Sequence, residues 1–198
     1  MSHKIMCYGD SNTYGYDPRS YLGGRYSEAV RWTGLLKAAG WDVWNEGENG
    51  RSIPRLDWEI QAVVRTACRT EAQVLTVMLG SNDLLQRPGL QAEALKERME
   101  RFLTLLLAGV SSCLKVLLIA PPPMRFGAWV SDERLIEESW RLAGCYKILA
   151  QGLGICFADA GAWNVDLAFD GVHFSVPGHR SFAEGMRKTL RQIIPPQT

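Results

Sequence analysis

Charge imbalance is absent from this 198-residue sequence: 22 Lys and Arg stand against 21 Asp and Glu, for a formal net charge of +1. No run of like charge forms a tail or a basic patch, so composition gives no electrostatic reason to expect nucleic acid or an anionic membrane as partner. No stretch approaches the roughly 20 apolar residues that a membrane span needs. The opening Met1-Ser2-His3-Lys4 has neither the apolar run nor the small-residue cleavage site of a secretory signal. Cysteine is sparse and odd in number: Cys7, Cys68, Cys113, Cys145 and Cys156, with no C-x-x-C spacing. Zinc ligation and a disulfide framework are both disfavoured, and a reduced, cytoplasmic protein without metal or cofactor is the expectation. Gly9-Asp10-Ser11 lacks both the Gly-x-Ser-x-Gly elbow and a Walker lysine, which argues against an α/β-hydrolase and against a nucleotide-cleaving loop. Histidine is scarce, at three.

The remaining composition, 46% hydrophobic and 22% charged, is that of a globular chain. Its length suits one domain across residues 1–198, and no internal repeat or low-complexity segment divides it. Apolar runs at Ile5–Tyr8, Trp41–Trp44, Gln73–Leu79, Leu114–Ala120 and Ile155–Asp159 predict five strands. Helical patterns separate them, over about Ser27–Ala39, Pro54–Arg69, Leu90–Leu107 and Asp132–Ala150, and a last helix starts near Pro177. Near-unbroken apolar strands alternating with helices predict a parallel sheet covered on both faces. Right-handed crossovers then make a three-layer α/β/α sandwich the economical topology.

In such a sheet the loops after the strands share one edge, where open α/β sheets place their reactive groups. Ser11, Gly50, Asn82 and the Asp170–His173 loop all fall on that rim, while connectors such as Ala39-Gly40 at the opposite edge are plain. A serine hydroxyl needs a base to become a nucleophile, and imidazole is the usual one near neutral pH. His3 precedes strand one at the wrong edge, and His179 in the last helix is expected to face solvent; His173 alone lies in a rim loop. Asp170, three residues earlier, is suited to accept from the other ring nitrogen, against the plainer possibility of an Asp-Gly turn. The backbone N–H groups of Ser11 and Gly50 and the amide of Asn82 are candidate donors for an oxyanion, although Asn82 alone reads equally as a turn or cap residue and Gly50 as a turn glycine. Asp10, Asp83, Asp159 and Glu48 are expected to serve structure. Phe126, Trp129, Trp163 and Phe169 are candidates for lining an acyl pocket, with ordinary packing as the alternative.

Four blocks in order, Gly9-Asp10-Ser11-Asn12-Thr13-Tyr14-Gly15, Asn49-Gly50-Arg51, Gly80-Ser81-Asn82-Asp83 and Asp170-Gly171-Val172-His173, resemble the SGNH hydrolase superfamily, also called GDSL-type esterases and lipases. The resemblance spans nearly the whole chain. It implies a flavodoxin-like α/β/α fold, Ser11 as nucleophile, Ser11, Gly50 and Asn82 in the oxyanion hole, and Asp170 with His173 completing a triad. Asn12 stands where the family name has leucine, a position variable among relatives. Arg31-Trp32-Thr33-Gly34 and Pro121-Pro122-Pro123 look most like the bacterial arylesterase and acyltransferase branch, which implies self-association; the seven tryptophans are the only hint of a homo-oligomer in the sequence itself. Hydrolysis of small acyl or acetyl esters is therefore the expected activity. Acyl transfer to an alcohol or peroxide, and a non-catalytic flavodoxin-like protein holding a phosphorylated ligand or flavin, are the alternatives.

Overall fold

A computed structural model describes residues 3–20, 22–87 and 89–194. Five strands, β1 (Lys4–Gly9), β2 (Asp42–Gly47), β3 (Val74–Met78), β4 (Lys115–Ala120) and β5 (Cys156–Asp159), pair in the order β2-β1-β3-β4-β5, every pair parallel. Among the described residues the helices are α1 (Ser11–Tyr14), α2 (Trp32–Ala38), α3 (Asp57–Thr70), α4 (Ser81–Gln86), α5 (Ala92–Gly109), α6 (Glu133–Leu153) and α7 (Val176–Ile193), with a 3-10 turn at Ala160–Trp163.

Both faces of the sheet are apolar, and the alternation of strand side chains divides the core in two. Met6, Tyr8, Leu75, Val77, Val116 and Leu118 face one way, toward α3, α5 and α6. Ile5, Cys7, Val74, Met78, Leu117 and Ile119 face the other, toward α2 and α7, where Trp32, Phe174 and Phe182 are fully buried. This is the expected three-layer sandwich.

The elements differ from the sequence-based expectations mainly at their ends. A helix was expected from Ser27, but Ser27–Arg31 is a turn closed by Val30 and Arg31 N–H groups on the Ser27 carbonyl. Extended backbone at Arg31 (ψ 137°) delays α2 to Trp32. Helix α3 starts at Asp57, not Pro54, because the Glu59 carboxylate accepts from the N–H groups of Arg55 and Leu56 and fixes the first turn there. Strand β2 continues three residues past Trp44, pairing Asn45, Glu46 and Gly47 with Cys7, Tyr8 and Gly9. As an edge strand it carries polar residues that hide it from a hydrophobicity pattern.

The chain leaves β1 toward β2 on one side and returns to β3 on the other, so the order of strands reverses at the carboxyl end of β1. That reversal is where such sheets bind ligands, and Ser11 directly follows β1 there.

Candidate active site

The sequence suggested a helix well after Ser11; instead the backbone turns into α1 at Ser11 itself. Asp10 caps this single turn, its Oδ1 accepting from Asn12 N–H at 2.9 Å, and Gly15 closes it in the left-handed conformation. Four residues are too few to show a helical period, which is why the pattern misses it. Burial pushes the Asp10 carboxyl up to about 6, against the Asn12 N–H bond and the charges of His173 and Arg51. Its contacts are those of a cap, as expected.

The loop from Asp170 to His173 returns to this turn. His173 Nε2 lies 3.0 Å from Ser11 Oγ, and His173 Nδ1 lies 2.7 Å from Asp170 Oδ2. All three side chains are buried, with His173 only 3% exposed. Burial works to raise the Asp170 pKa, but the bond from the His173 ring and the N–H bonds of His173 and Val172 onto Oδ1 outweigh it. The group ends below the usual carboxylate range. An ionised carboxylate only accepts, so Nδ1 carries a proton toward Asp170, and in the neutral ring Nε2 is then the acceptor that faces Ser11.

The loop after β4 pins this arrangement from outside. Arg125 N–H donates to Gly171 O, Ala128 N–H to Phe169 O and Trp129 N–H to Asp170 O, each at 3.1 Å. Gly171 has φ +83°, and a Cβ there would stand 2.1 Å from the Arg125 carbonyl oxygen, so only glycine permits this contact. Two aromatic rings cover the imidazole: Tyr16, with centroids 4.6 Å apart, and Trp129, edge-on at 4.9 Å.

On the other side, the segment Gly50–Ile53 is tied to α4. Asn82 Nδ2 donates to Arg51 O at 3.0 Å, Gln86 Nε2 to Gly50 O at 3.2 Å, and Ile53 N–H to Asp83 Oδ2 at 2.9 Å. Asn82 thus commits one of its two N–H groups to the loop and keeps one. Gly50 adopts φ +75°, and its own N–H donates to no protein acceptor among the described residues. Asp83 (paired also with Arg98 at 3.4 Å), Asp159 (capping the 3-10 turn) and Glu48 (paired with Arg51 at 2.6 Å) all hold structure.

One expectation is corrected. His179 does not face solvent: it is 1% exposed, packed edge-on against Tyr26 and Phe174 on the inner face of α7, with Trp32 N–H donating to its Nδ1 at 3.4 Å. Position in a helix does not reveal its face when the helix carries as few landmarks as Val176-Pro177-Gly178 at its start. Of the aromatics considered for the acyl pocket, Trp163 packs on Phe182 in the α7 core, whereas Phe126, Trp129 and Phe169 are exposed on rim loops. Tyr16 went unnoticed in the sequence. Its place just after the Ser11 turn was the available signal, but ring contacts between distant segments leave no mark on spacing.

All five cysteines are free, and burial raises the Cys7 thiol to about 12, as befits a core residue. Among the described residues no three His, Cys, Asp or Glu side chains converge as a metal-ligating set. A cavity of about 720 Å³ lies beneath the β2 edge, lined by Tyr8, Glu46, Gly50, Arg51 and Trp58 among others. Neither Ser11 nor His173 lines it, so its volume says nothing of the reaction.

A serine, a histidine and an aspartate lie in one hydrogen-bonded series at the reversal point of a 2-1-3-4-5 parallel sheet, a flavodoxin-like α/β arrangement. The chain belongs to the GDSL-like lipase/acylhydrolase family, a family of carboxylic ester hydrolases, whose model matches residues 7–181. Among solved structures it is similar to a carbohydrate acetylesterase family member from Sinorhizobium meliloti, with 27% identity, TM-score 0.84 and coverage of 98% of this chain and 100% of that one. It is also similar to the M. smegmatis aryl esterase, with 26% identity, TM-score 0.81 and the same coverage of both chains. No curated protein matches the sequence. Among the described residues, no helix is long and apolar enough to cross a membrane.

Proposed function

We propose that the chain, acting as one domain, is a serine esterase that cleaves small acyl esters through an acyl-enzyme on Ser11. The observation that carries this is the unbroken series from Ser11 Oγ through His173 to Asp170, at 3.0 and 2.7 Å. Ser11 Oγ attacks the ester carbonyl carbon while its proton passes to His173 Nε2. Asp170, held ionised by its three N–H bonds, stabilises the imidazolium and keeps the ring oriented. Negative charge on the carbonyl oxygen is met by the Ser11 and Gly50 N–H groups and by the N–H that Asn82 has left over. Collapse of the tetrahedral species breaks the bond to the alcohol oxygen, which takes the proton from His173. Water activated by the same imidazole then releases the acid and frees Ser11.

The relatives named as aryl esterase and carbohydrate acetylesterase bracket the substrate class. The aromatic rings of Tyr16 and Trp129 beside the imidazole suit a planar or apolar alcohol portion. Ser11→Ala should abolish hydrolysis of 4-nitrophenyl acetate, and a panel of aryl against acetylated-sugar esters should favour the aryl members. A Ser11→Ala protein retaining turnover within a few-fold of the parent overturns the proposal. A competing alcohol in the same assay separates transfer from hydrolysis by its ester product.

A further inference from the structure

Asn12 stands where the family name has leucine. It is 5% exposed, and both the oxygen and the nitrogen of its carboxamide bond to the histidine loop. Oδ1 accepts from Phe174 N–H at 2.9 Å, and Nδ2 donates to Val172 O at 3.1 Å. These are the residues immediately before and after His173. The side chain therefore acts as an extra peptide group, giving one donor and one acceptor to the bent segment that carries the base. Its own main chain is held as well: its N–H donates to Asp10 Oδ1, and its carbonyl accepts from Trp32 Nε1, both at 2.9 Å. Among the described residues, no hydrogen bond other than these two and the Ser11–His173 bond itself joins residues 10–16 to residues 166–175.

We propose that Asn12 is a positioning residue for ester cleavage: its carboxamide clamps both peptide flanks of His173 and so sets the distance between base and nucleophile. This rests on Ser11 and His173 having the roles assigned above. Only a carboxamide of this length supplies both bonds. Aspartate keeps the acceptor and turns a second oxygen on the Val172 carbonyl; leucine, the residue of the family name, makes neither bond. Displacements of about 1 Å in a reacting pair can cost about 10²-fold in rate.

The test is a double-mutant cycle on 4-nitrophenyl acetate hydrolysis, using Asn12→Leu, Asn12→Asp, His173→Ala and the combined variants. Asn12→Leu should lower kcat about 100-fold with KM within a few-fold, and Asn12→Asp should lie between it and the parent. In the His173→Ala background neither change should lower the residual rate further, because the base being positioned is gone. If Asn12→Leu does not fold, the near-isosteric Asn12→Asp carries the same comparison. Parental kcat in a folded Asn12 variant, or equal losses with and without His173, overturns the clamp and leaves Asn12 a fold residue. Ser11→Ala, run alongside, separates the two failures: if it stays active the nucleophile assignment falls, and if it is dead while the Asn12 variants are unaffected, only the clamp falls.

Discussion

Replacing His179 by asparagine removes a buried imidazole that titrates against the fold. Burial, reinforced by the positive charge of Arg31, pulls its pKa down to about 4 from 6.5. The folded protein keeps the ring neutral, while the unfolded chain takes up a proton below about pH 6.5. Stability from this group is therefore complete above that pH and drains away as pH falls toward 4. At about pH 5, roughly 1.5 units into the window at about 1.4 kcal/mol per unit, the loss is about 2 kcal/mol. That is a sizeable part of the 5–15 kcal/mol, roughly, that holds a domain folded. Asp10 works in the opposite sense. Raised to about 6 by burial, it binds its proton more readily in the folded state, adding about 1 kcal/mol between about pH 7 and pH 5. In the parent the contributions of His179 and Asp10 therefore partly cancel. Asparagine places an amide oxygen near Nδ1, where it can still accept from Trp32 N–H, and it does not titrate. Urea unfolding at about pH 7 and pH 5 should show the variant losing about 2 kcal/mol less than the parent over that interval, whatever its constant packing cost. Parallel pH dependences would refute the reasoning. The outcome bears on function, since acid inactivation through His179 would otherwise be credited to His173.

Asn82→Ala removes the proposed oxyanion donor and the tether to Arg51 together; kcat should fall by about 10²–10³ with little change in KM, read by steady-state kinetics. Asp170→Asn should cost about 10⁴ in kcat while leaving the fold intact, because an amide cannot hold the imidazole in the required tautomer; circular dichroism and ester turnover together check it. Gly171→Ala forces a Cβ into the Arg125 carbonyl at positive φ. It should destabilise by more than about 1 kcal/mol in a thermal melt and lower turnover by shifting the histidine loop.

The five strands and their order of use, the two-sided core and the rim that carries Ser11, Gly50, Asn82 and His173 were all legible in the sequence. Buried parallel strands need continuous apolar runs, and glycine and polar residues accumulate where those runs stop. Element ends were less legible. Asp10-capped α1 is shorter than a period, β2 is an edge strand with polar residues, and α3 is placed by a single carboxylate, Glu59. The face of α7 that buries His179 was hidden for a similar reason: burial is decided by what lies opposite, here Trp32, Tyr26 and Phe174.

The sequence alone determined which residue types meet at the carboxyl edge of the sheet, because alternating strands and helices oblige every such loop to emerge there. It could not decide how they meet. The 3.0 Å between Ser11 and His173, the ring of Tyr16 on the imidazole and the grip of Asn12 on Val172 and Phe174 join segments some 160 residues apart, and Trp129 reaches the same imidazole from a third loop. Contacts of that range have no periodicity along the chain. They exist only once the sheet has closed the distance between its ends.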